Sequence, residues 1–194
     1  VHWIKVKELI SAGMWNSISR LSQVLSDGLD LVITNIWISA YLMGELSIAQ
    51  QIPTYISTLT NTLINLFSPN LTMYYAKDDT EAVVKELKLS MKFSSFFVNI
   101  IFCILVIFGK YFMQLWVPNQ DVNLIYSLLV VIMMSLLVSG VTTSLNNVFL
   151  VTNRLKVNSI FWLIISFTNV LLVFIFLNTT SLGIYAVAGV CLLY

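Results

Sequence analysis

Six polar or charged side chains recur within one long apolar stretch near the start of the chain. At about 100° per residue, their spacing of 4, 3, 4, 3 and 4 places all six on one face of a helix. A charged group at the centre of a membrane helix costs about 2.5–3.5 kcal/mol on insertion scales, so we expect this face to meet protein or water rather than lipid. The stripe consists of Asn16, Arg20, Gln23, Asp27, Asp30 and Thr34.

The charges in this stripe have two interpretations. Arg20 and Asp27 are seven residues apart, about 10.5 Å along a helix axis, which is too far for a close pair. Arg20 could extend toward the membrane surface, while the two aspartates make hydrogen bonds between helices. Alternatively, Asp27 or Asp30 lines a transport cavity together with Arg20. The sequence leaves both interpretations open.

Two further stretches repeat the pattern without charges. Small polar residues often hold membrane helices together, so each stripe taken alone is typical of helix packing. Three stripes, one of them charged, favour helices arranged around a hydrated space. The second stripe consists of Gln50, Thr54, Ser57, Asn61 and Asn65, and the third of Ser135, Ser139, Thr142 and Asn146.

The remaining residues offer no catalytic set. The single histidine is His2, and no phosphate-binding glycine loop or nucleophile–base combination is present. Cys103 and Cys191 fall in apolar stretches and are expected to be buried, inert thiols. The pair Asp78 and Asp79 resembles a metal-binding dyad but has no further ligands nearby, which favours a solvated helix cap. We therefore predict neither an enzyme nor a cofactor or metal site.

Composition shows which elements must carry these stripes. Of 194 residues, 58% are hydrophobic and 10% are charged, with a net charge of +1 and a mean hydropathy of +0.89. Ordinary soluble domains contain about 25% charged residues. Without a basic excess, nucleic acid is not an expected partner. Residues 31–44, 46–76, 93–109, 122–153 and 157–194 carry no charge, and about 20 apolar residues span a bilayer as a helix.

The sequence therefore predicts an all-α polytopic bundle of about six transmembrane helices. The expected spans are roughly 14–41, 47–75, 89–115, 122–151, 157–177 and 182–194, the last of them truncated. Gly44 is expected to lie in the connection 41–46, and Pro69 to kink or end the second helix. Residues 77–92 are expected to form an amphipathic helix that runs into the third span.

Basic residues set the expected orientation. Eight lysines and arginines fall in the N-terminal segment and in the second and fourth loops, against one, Lys110, in the other loops. By the positive-inside rule, we expect residue 1 to lie in the cytoplasm. The chain begins with Val1 and stops at Tyr194 within an apolar run, so we expect a piece of a longer protein.

Several segments together are similar to one transporter family. Taken in order, they resemble the second lobe of bacterial polysaccharide (O-antigen-type) flippases, of the multidrug/oligosaccharidyl-lipid/polysaccharide exporter superfamily. The resemblance covers about the first 120 residues and continues mainly as hydropathy. It rests on residues 13–18 (GMWNSI), 28–31 (GLDL), 43–53 (MGELSIAQQIP), 67–77 (FSPNLTMYYAK) and 115–118 (LWVP).

This resemblance implies two six-helix lobes around a central cavity, with residues 1–194 as an incomplete C-terminal lobe and the N-terminal lobe missing. The implied activity is flipping of a polyprenyl-diphosphate-linked oligosaccharide by alternating access. A polysaccharide polymerase and glycosyltransferases are the implied partners. The expected substrate-binding residues are Arg20, Asn16, Gln23, Gln50 and Asn61, and the expected ion-coupling residues are Asp27 and Asp30.

Alternatives remain within the same fold class and outside it. A cation-coupled multidrug extruder would use Asp27 and Asp30 better than Arg20. A non-transporting scaffold of a polysaccharide assembly complex would have no need of a polar stripe through the membrane. An intramembrane glycosyltransferase or acyltransferase would need a catalytic set that the sequence does not contain.

Overall fold

The computed structural model describes residues 3–152, 155–180 and 183–190. This part of the chain folds into seven helices and contains no strand, which confirms the predicted all-helical bundle. The helices are α1 (Trp3–Trp37), α2 (Ala40–Asn65), α3 (Ser68–Ala76), α4 (Thr80–Trp116), α5 (Val122–Val151), α6 (Leu155–Thr179) and α7 (Ile184–Val190).

Side-chain caps fix where several helices begin. The Ser39 hydroxyl accepts a hydrogen bond from the Leu42 amide at 3.1 Å, and α2 begins directly after it. Asp79 accepts from the Ala82 amide at 3.0 Å ahead of α4, which confirms that the Asp78–Asp79 pair caps a helix. The Asp121 carboxylate caps α5 by accepting from the amides of Asn123 and Leu124, both at 3.1 Å.

Two helix boundaries test the expected connections. Gly44 was expected in a connection over 41–46, and this prediction is wrong, because the Ser39 cap starts α2 at Ala40 and includes Gly44 in the helix. Pro69 was expected to kink or end the second helix, and this is confirmed. Regular α2 stops at Asn65, and α3 begins at Ser68 with the proline in its first turn, where a missing amide proton costs nothing.

Among the described residues, three helices are long and apolar enough to cross a bilayer: Thr80–Trp116, Val122–Phe149 and Lys156–Thr179. Large apolar side chains stay exposed along their surfaces, among them Phe96, Ile107 and Phe167. A soluble protein rarely exposes so much apolar surface, whereas a lipid environment accepts it. The expectation that Cys103 is buried is wrong, because it lies on the exposed surface of α4, while Cys191 falls outside the described residues.

Hydrogen bonds between helices define their relative directions. α4 and α5 are antiparallel, since Ser90 pairs with Ser144 at 3.2 Å while Val106 pairs with Tyr126 at 2.7 Å. α2 and α5 are parallel, since the Asp121 amide donates to Glu45 and the Asn147 amide group donates to the carbonyl of Ile64, both at 3.4 Å.

One end of the bundle therefore collects the α3–α4 junction, the end of α5 and the start of α6. It carries most of the lysines of 77–92 and Lys156, and we call it the basic end. The connections at 38–39 and 117–121 and the end of α6 lie at the opposite end. This arrangement agrees with the alternation of loops on which the orientation was predicted. The buried apolar core, which includes Leu46, Leu128 and Met133, lies among α2, α5 and α7.

Close contact of α4 and α5 depends on a small residue at Gly140. A Cβ there would lie 3.1 Å from Cγ2 of Val98, and the Ser94 hydroxyl donates to the Gly140 carbonyl at 2.7 Å. Small residues of this kind let membrane helices approach each other.

We expect Gly140→Leu to destabilise the protein by about 1–3 kcal/mol, the usual cost of overpacking. Thermal unfolding of the detergent-solubilised protein measures the effect. The control is Gly13→Leu on α1, where an added Cβ meets nothing within 4 Å. Equal melting temperatures for both variants would contradict the close contact at Gly140.

Candidate functional site

Serine hydroxyls fix the position of α1, which carries the charged stripe, against α6. The Ser19 hydroxyl donates to Ser159 Oγ at 2.7 Å, and Ser159 in turn donates to the Trp15 carbonyl at 2.7 Å. Further along, the Ser166 hydroxyl donates to the Ser22 carbonyl at 3.2 Å. Residue numbers increase together along the bonded positions of the two helices, so α1 and α6 are parallel. All three serines bonded here, Ser19, Ser159 and Ser166, are buried.

This register gives the depth of Arg20. It lies between the levels of Ser159 and Ser166, and the apolar span of α6 begins at Lys156. At 1.5 Å per residue, Arg20 is therefore roughly 5–15 Å along the axis from the start of that span. Its side chain is exposed on the bundle surface. This depth allows the guanidinium to meet either lipid headgroups or a hydrated cavity.

The stripe on α1 divides into two environments. Asn16 and Arg20 are exposed, whereas Asp30 and Thr34 are 5% and 0% exposed, and the Thr34 hydroxyl donates to the Asp30 carbonyl at 2.7 Å. Asp30 also interacts within the bundle. The side chains of Gln23 and Asp27 lie outside the described part of the structure. One helical face thus contains both open and covered positions.

The short connection between α1 and α2 explains this division. Only residues 38 and 39 separate the two helices, so their adjoining ends pack together near the opposite end of the bundle. There Ile33 and Ile38 pack against a core that includes Leu46 and Ala49. Toward the basic end, Asn16 and Arg20 stay exposed.

The stripes of α2 and α5 meet at a shared cleft. Ser57 and Asn61 of α2 line it together with Ser139 and Thr143 of α5. The cleft is open to the surface, and its cavity volume is about 10 Å³. Asn61 is exposed and Gln50 is half-buried on the same helix. The structure therefore brings part of the second and third stripes together, which sequence spacing alone did not specify.

Two buried polar residues were not identified from the sequence. Glu45 is 1% exposed, and its Oε2 atom has no hydrogen-bond partner; Asn169 is 6% exposed, and its Oδ1 atom has none. Glu45 could have been found as the single charge between Asp30 and Lys77. Asn169 offers no comparable signal, because amides are ordinary in membrane helices.

The chemistry available is that of recognising ions rather than breaking bonds. The exposed guanidinium of Arg20 can bind an anion such as a phosphate through two parallel hydrogen bonds. Among residues 3–152, 155–180 and 183–190, no group of three or more His, Cys, Asp or Glu side chains could hold a metal ion. Glu45 and Asp30 are buried single carboxylates in this part of the chain.

Comparison with known proteins places the chain beside a membrane protein. It is 25% identical over 181 residues to the "Uncharacterized membrane protein EpsK" of Bacillus subtilis (strain 168). The match covers 93% of this chain and 36% of the relative, so the chain spans about a third of the relative's length. No family model matches the chain. No solved structure matches it either. Together with its three membrane-length helices, the chain is a multi-pass helical membrane protein.

Water beside the α2 stripe can be tested by cysteine labelling of the full-length protein. We expect Thr54→Cys to react with a membrane-impermeant charged maleimide, because Thr54 is exposed on the stripe that lines the cleft. Cys103 and Cys191 are replaced by serine beforehand.

The matched control is Tyr55→Cys, which lies at the same depth on α2 and is also exposed but points away from the stripe. We expect it to react far more slowly, since thiolates do not form in lipid. Equal labelling rates at positions 54 and 55 would remove the argument for a hydrated stripe.

Proposed function

We propose that this chain is part of a transporter that flips a polyprenyl-diphosphate-linked oligosaccharide across the bacterial cytoplasmic membrane. The observation that carries the proposal is Arg20, a cation exposed at roughly 5–15 Å into the apolar part of the bundle. The likeness to a membrane protein and the family resemblance of residues 13–118 support it. The product would serve surface polysaccharide biosynthesis.

An arginine suits a diphosphate for a specific physical reason. Its planar guanidinium stays protonated and offers paired N–H donors that match phosphate oxygens, whereas lysine offers a strongly hydrated point charge. Asn16 is exposed on the same stripe one turn away, and its amide is a suitable partner for sugar hydroxyls. Gln23, Gln50 and Asn61 have the same chemistry in the proposed cavity.

The chain cannot enclose such a substrate by itself. Its cleft is open and has a cavity volume of only about 10 Å³, whereas drug-sized ligand pockets enclose roughly 300–1,000 Å³. We therefore propose that a second lobe of the same protein faces the three stripes and completes the cavity. The chain spans only 36% of its relative, which leaves length for such a lobe. A polysaccharide polymerase and glycosyltransferases are the proposed partners, and no catalytic step is assigned to this chain.

The aspartates of α1 favour coupling over substrate binding. Asp30 is 5% exposed, so a bulky substrate does not reach it in this conformation. We propose a proton or a small cation as its ligand instead. The same burial weakens the alternative of an extruder for cationic drugs, which would need an accessible carboxylate. A drug-resistance assay of the full-length protein tests that alternative directly.

We expect Arg20→Ala to abolish polysaccharide export while the protein stays in the membrane. Binding of the diphosphate should weaken by about tenfold or more, since a lost 1.4 kcal/mol corresponds to tenfold in affinity. Accumulation of lipid-linked repeat units in the inner leaflet is the measurement. Arg20→Lys should restore export only in part.

The matched control is Lys110→Ala, which removes a basic side chain near the opposite end of the bundle, where it is exposed. Export should be unaffected in this variant. Normal surface polysaccharide in cells with Arg20→Ala would exclude Arg20 as a substrate site.

We also expect Asp27→Asn and Asp30→Asn to reduce the dependence of transport on the ion gradient. Asparagine keeps the shape of the side chain but removes the charge that a coupling cation requires. The measurement is flipping in proteoliposomes with and without an imposed proton or sodium gradient.

Glu81→Gln in the exposed first turn of α4 is the control and should keep the gradient dependence of the unmodified protein. If transport responds to the gradient equally with asparagine at both positions 27 and 30, ion coupling does not involve these aspartates.

A further inference from the structure

Glu45 is a buried acid that the proposed substrate site does not use. It lies in the second turn of α2, is 1% exposed, and stands beside Leu46 and Ala49, which are both fully buried. It is the only charge between Asp30 and Lys77 in the sequence. Its position near the opposite end of the bundle separates it from Arg20.

The carboxylate of Glu45 is poorly satisfied. Its Oε1 atom accepts a hydrogen bond from the Asp121 amide at 3.4 Å, which is long for a charged acceptor. Its Oε2 atom is buried without a hydrogen-bond partner. An unpaired buried carboxylate costs several kcal/mol or more in solvation, so in proteins such groups are usually paired, bound to a metal, or neutral.

The surroundings supply no compensating cation. The Tyr41 side chain, one turn before Glu45 on α2, shares a hydrogen bond with the Glu45 carboxylate and also lies near the carboxylate of Asp121. On α4, Lys110 and Tyr111 are exposed, and the hydroxyl of Tyr185 on α7 pairs with Ser127 at 2.8 Å. Residues 31–37 of α1 contain no ionisable group. In the described ranges no Lys, Arg or His side chain donates to the Glu45 carboxylate.

A proton fits this site better than a metal ion. Calcium takes 6–8 oxygen ligands and magnesium takes six. Here Asp121 Oδ1 already accepts the two amides that cap α5. No cluster of three or more acidic, His or Cys side chains occurs among the residues that the structure describes. The one carboxylate oxygen atom without a hydrogen-bond partner can bind a single proton without any further ligand.

We propose that Glu45 is a proton-binding site whose protonation releases the start of α2 from the start of α5. In the ionised form, the carboxylate accepts from the Asp121 amide at the positive N-terminal end of α5, which is a favourable interaction of charge with helix dipole. When a hydronium ion transfers its proton to Oε2 and leaves as water, the carboxyl group becomes neutral. The contact between the two helices then weakens, and the opposite end of the bundle can open.

The proton site itself does not depend on the proposed transport function. Only the statement that the opening is a step of the transport cycle rests on that function. The response of the two helices to pH is measurable without any substrate, so the two proposals can fail separately. If the protein does not export polysaccharide but its helices still respond to pH, the proposed substrate is wrong and the proposed proton site at Glu45 stands.

The test measures the separation of α2 and α5 in the full-length protein reconstituted in lipid nanodiscs. Spin labels are attached at two exposed positions after Cys103 and Cys191 are replaced: Gln51→Cys in the fourth turn of α2 and Asn123→Cys in the first turn of α5. We expect the distance to increase on acidification. In Glu45→Gln, which mimics the protonated side chain, the distance should stay at its acidic value at every pH.

Matched controls separate Glu45 from the other acids. Asp121→Asn keeps a capping side chain for α5, and Glu81→Gln removes an acid at the basic end, so both should retain the pH response. A pH response in Glu45→Gln equal to that of the unmodified protein would overturn the proposal, as would a distance that does not change with pH. A response to sodium or calcium at constant pH, with none to pH, would overturn the assignment to a proton.

Infrared spectroscopy gives a second measurement that does not depend on helix movement. The pH-difference spectrum of the unmodified protein should contain the C=O band of a buried protonated carboxyl group. Glu45→Gln should lose this band, and Glu45→Asp, which keeps a titratable group, should retain it. A band that persists in Glu45→Gln would assign the proton to another residue and overturn the proposal.

Discussion

A bilayer interior offers polar groups no water to bind, and this constraint determines how the bundle is built. The hydroxyls of Ser19, Ser159 and Ser166 find their partners on the neighbouring helix, and Ser90 and Ser94 do the same between α4 and α5. Each bond is worth little, about 0.6 kcal/mol on average in a measured membrane protein. Together they set the register of the helices, and the register sets the depth of every functional side chain.

The same constraint separates polar residues that build the fold from those left for function. Arg20 and Thr54 remain exposed on stripes that no neighbouring helix covers within the described part of the chain. Glu45 and Asn169 are buried, yet each keeps one unsatisfied oxygen atom. Evolution rarely leaves such groups without use, because both an exposed charge in lipid and an orphaned buried acceptor are costly. The first kind suits a substrate, and the second suits a proton or small ion.

Sequence patterns predicted the helical class and the break at Pro69 because both depend on local chemistry: long apolar runs, and a proline without an amide proton. The sequence patterns did not predict which residues of a polar stripe are covered by a neighbouring helix. Asn16 and Thr34 lie on one helical face, but the turn at 38–39 brings α2 over the latter alone. Glu45 was missed because Gly44 suggested a loop, whereas the Ser39 cap starts the helix earlier and turns the acid inward.

The proposed proton site and substrate site are connected through a short mechanical path. Glu45 lies in the second turn of α2, and a two-residue connection joins α2 to the end of α1, which also carries Arg20. A release of α2 from α5 therefore moves the adjoining end of α1, while the serine bonds to α6 hold its other half. Thermodynamic linkage then requires reciprocity: if protonation changes the affinity of the Arg20 side for its anion, the bound anion changes proton affinity by the same factor.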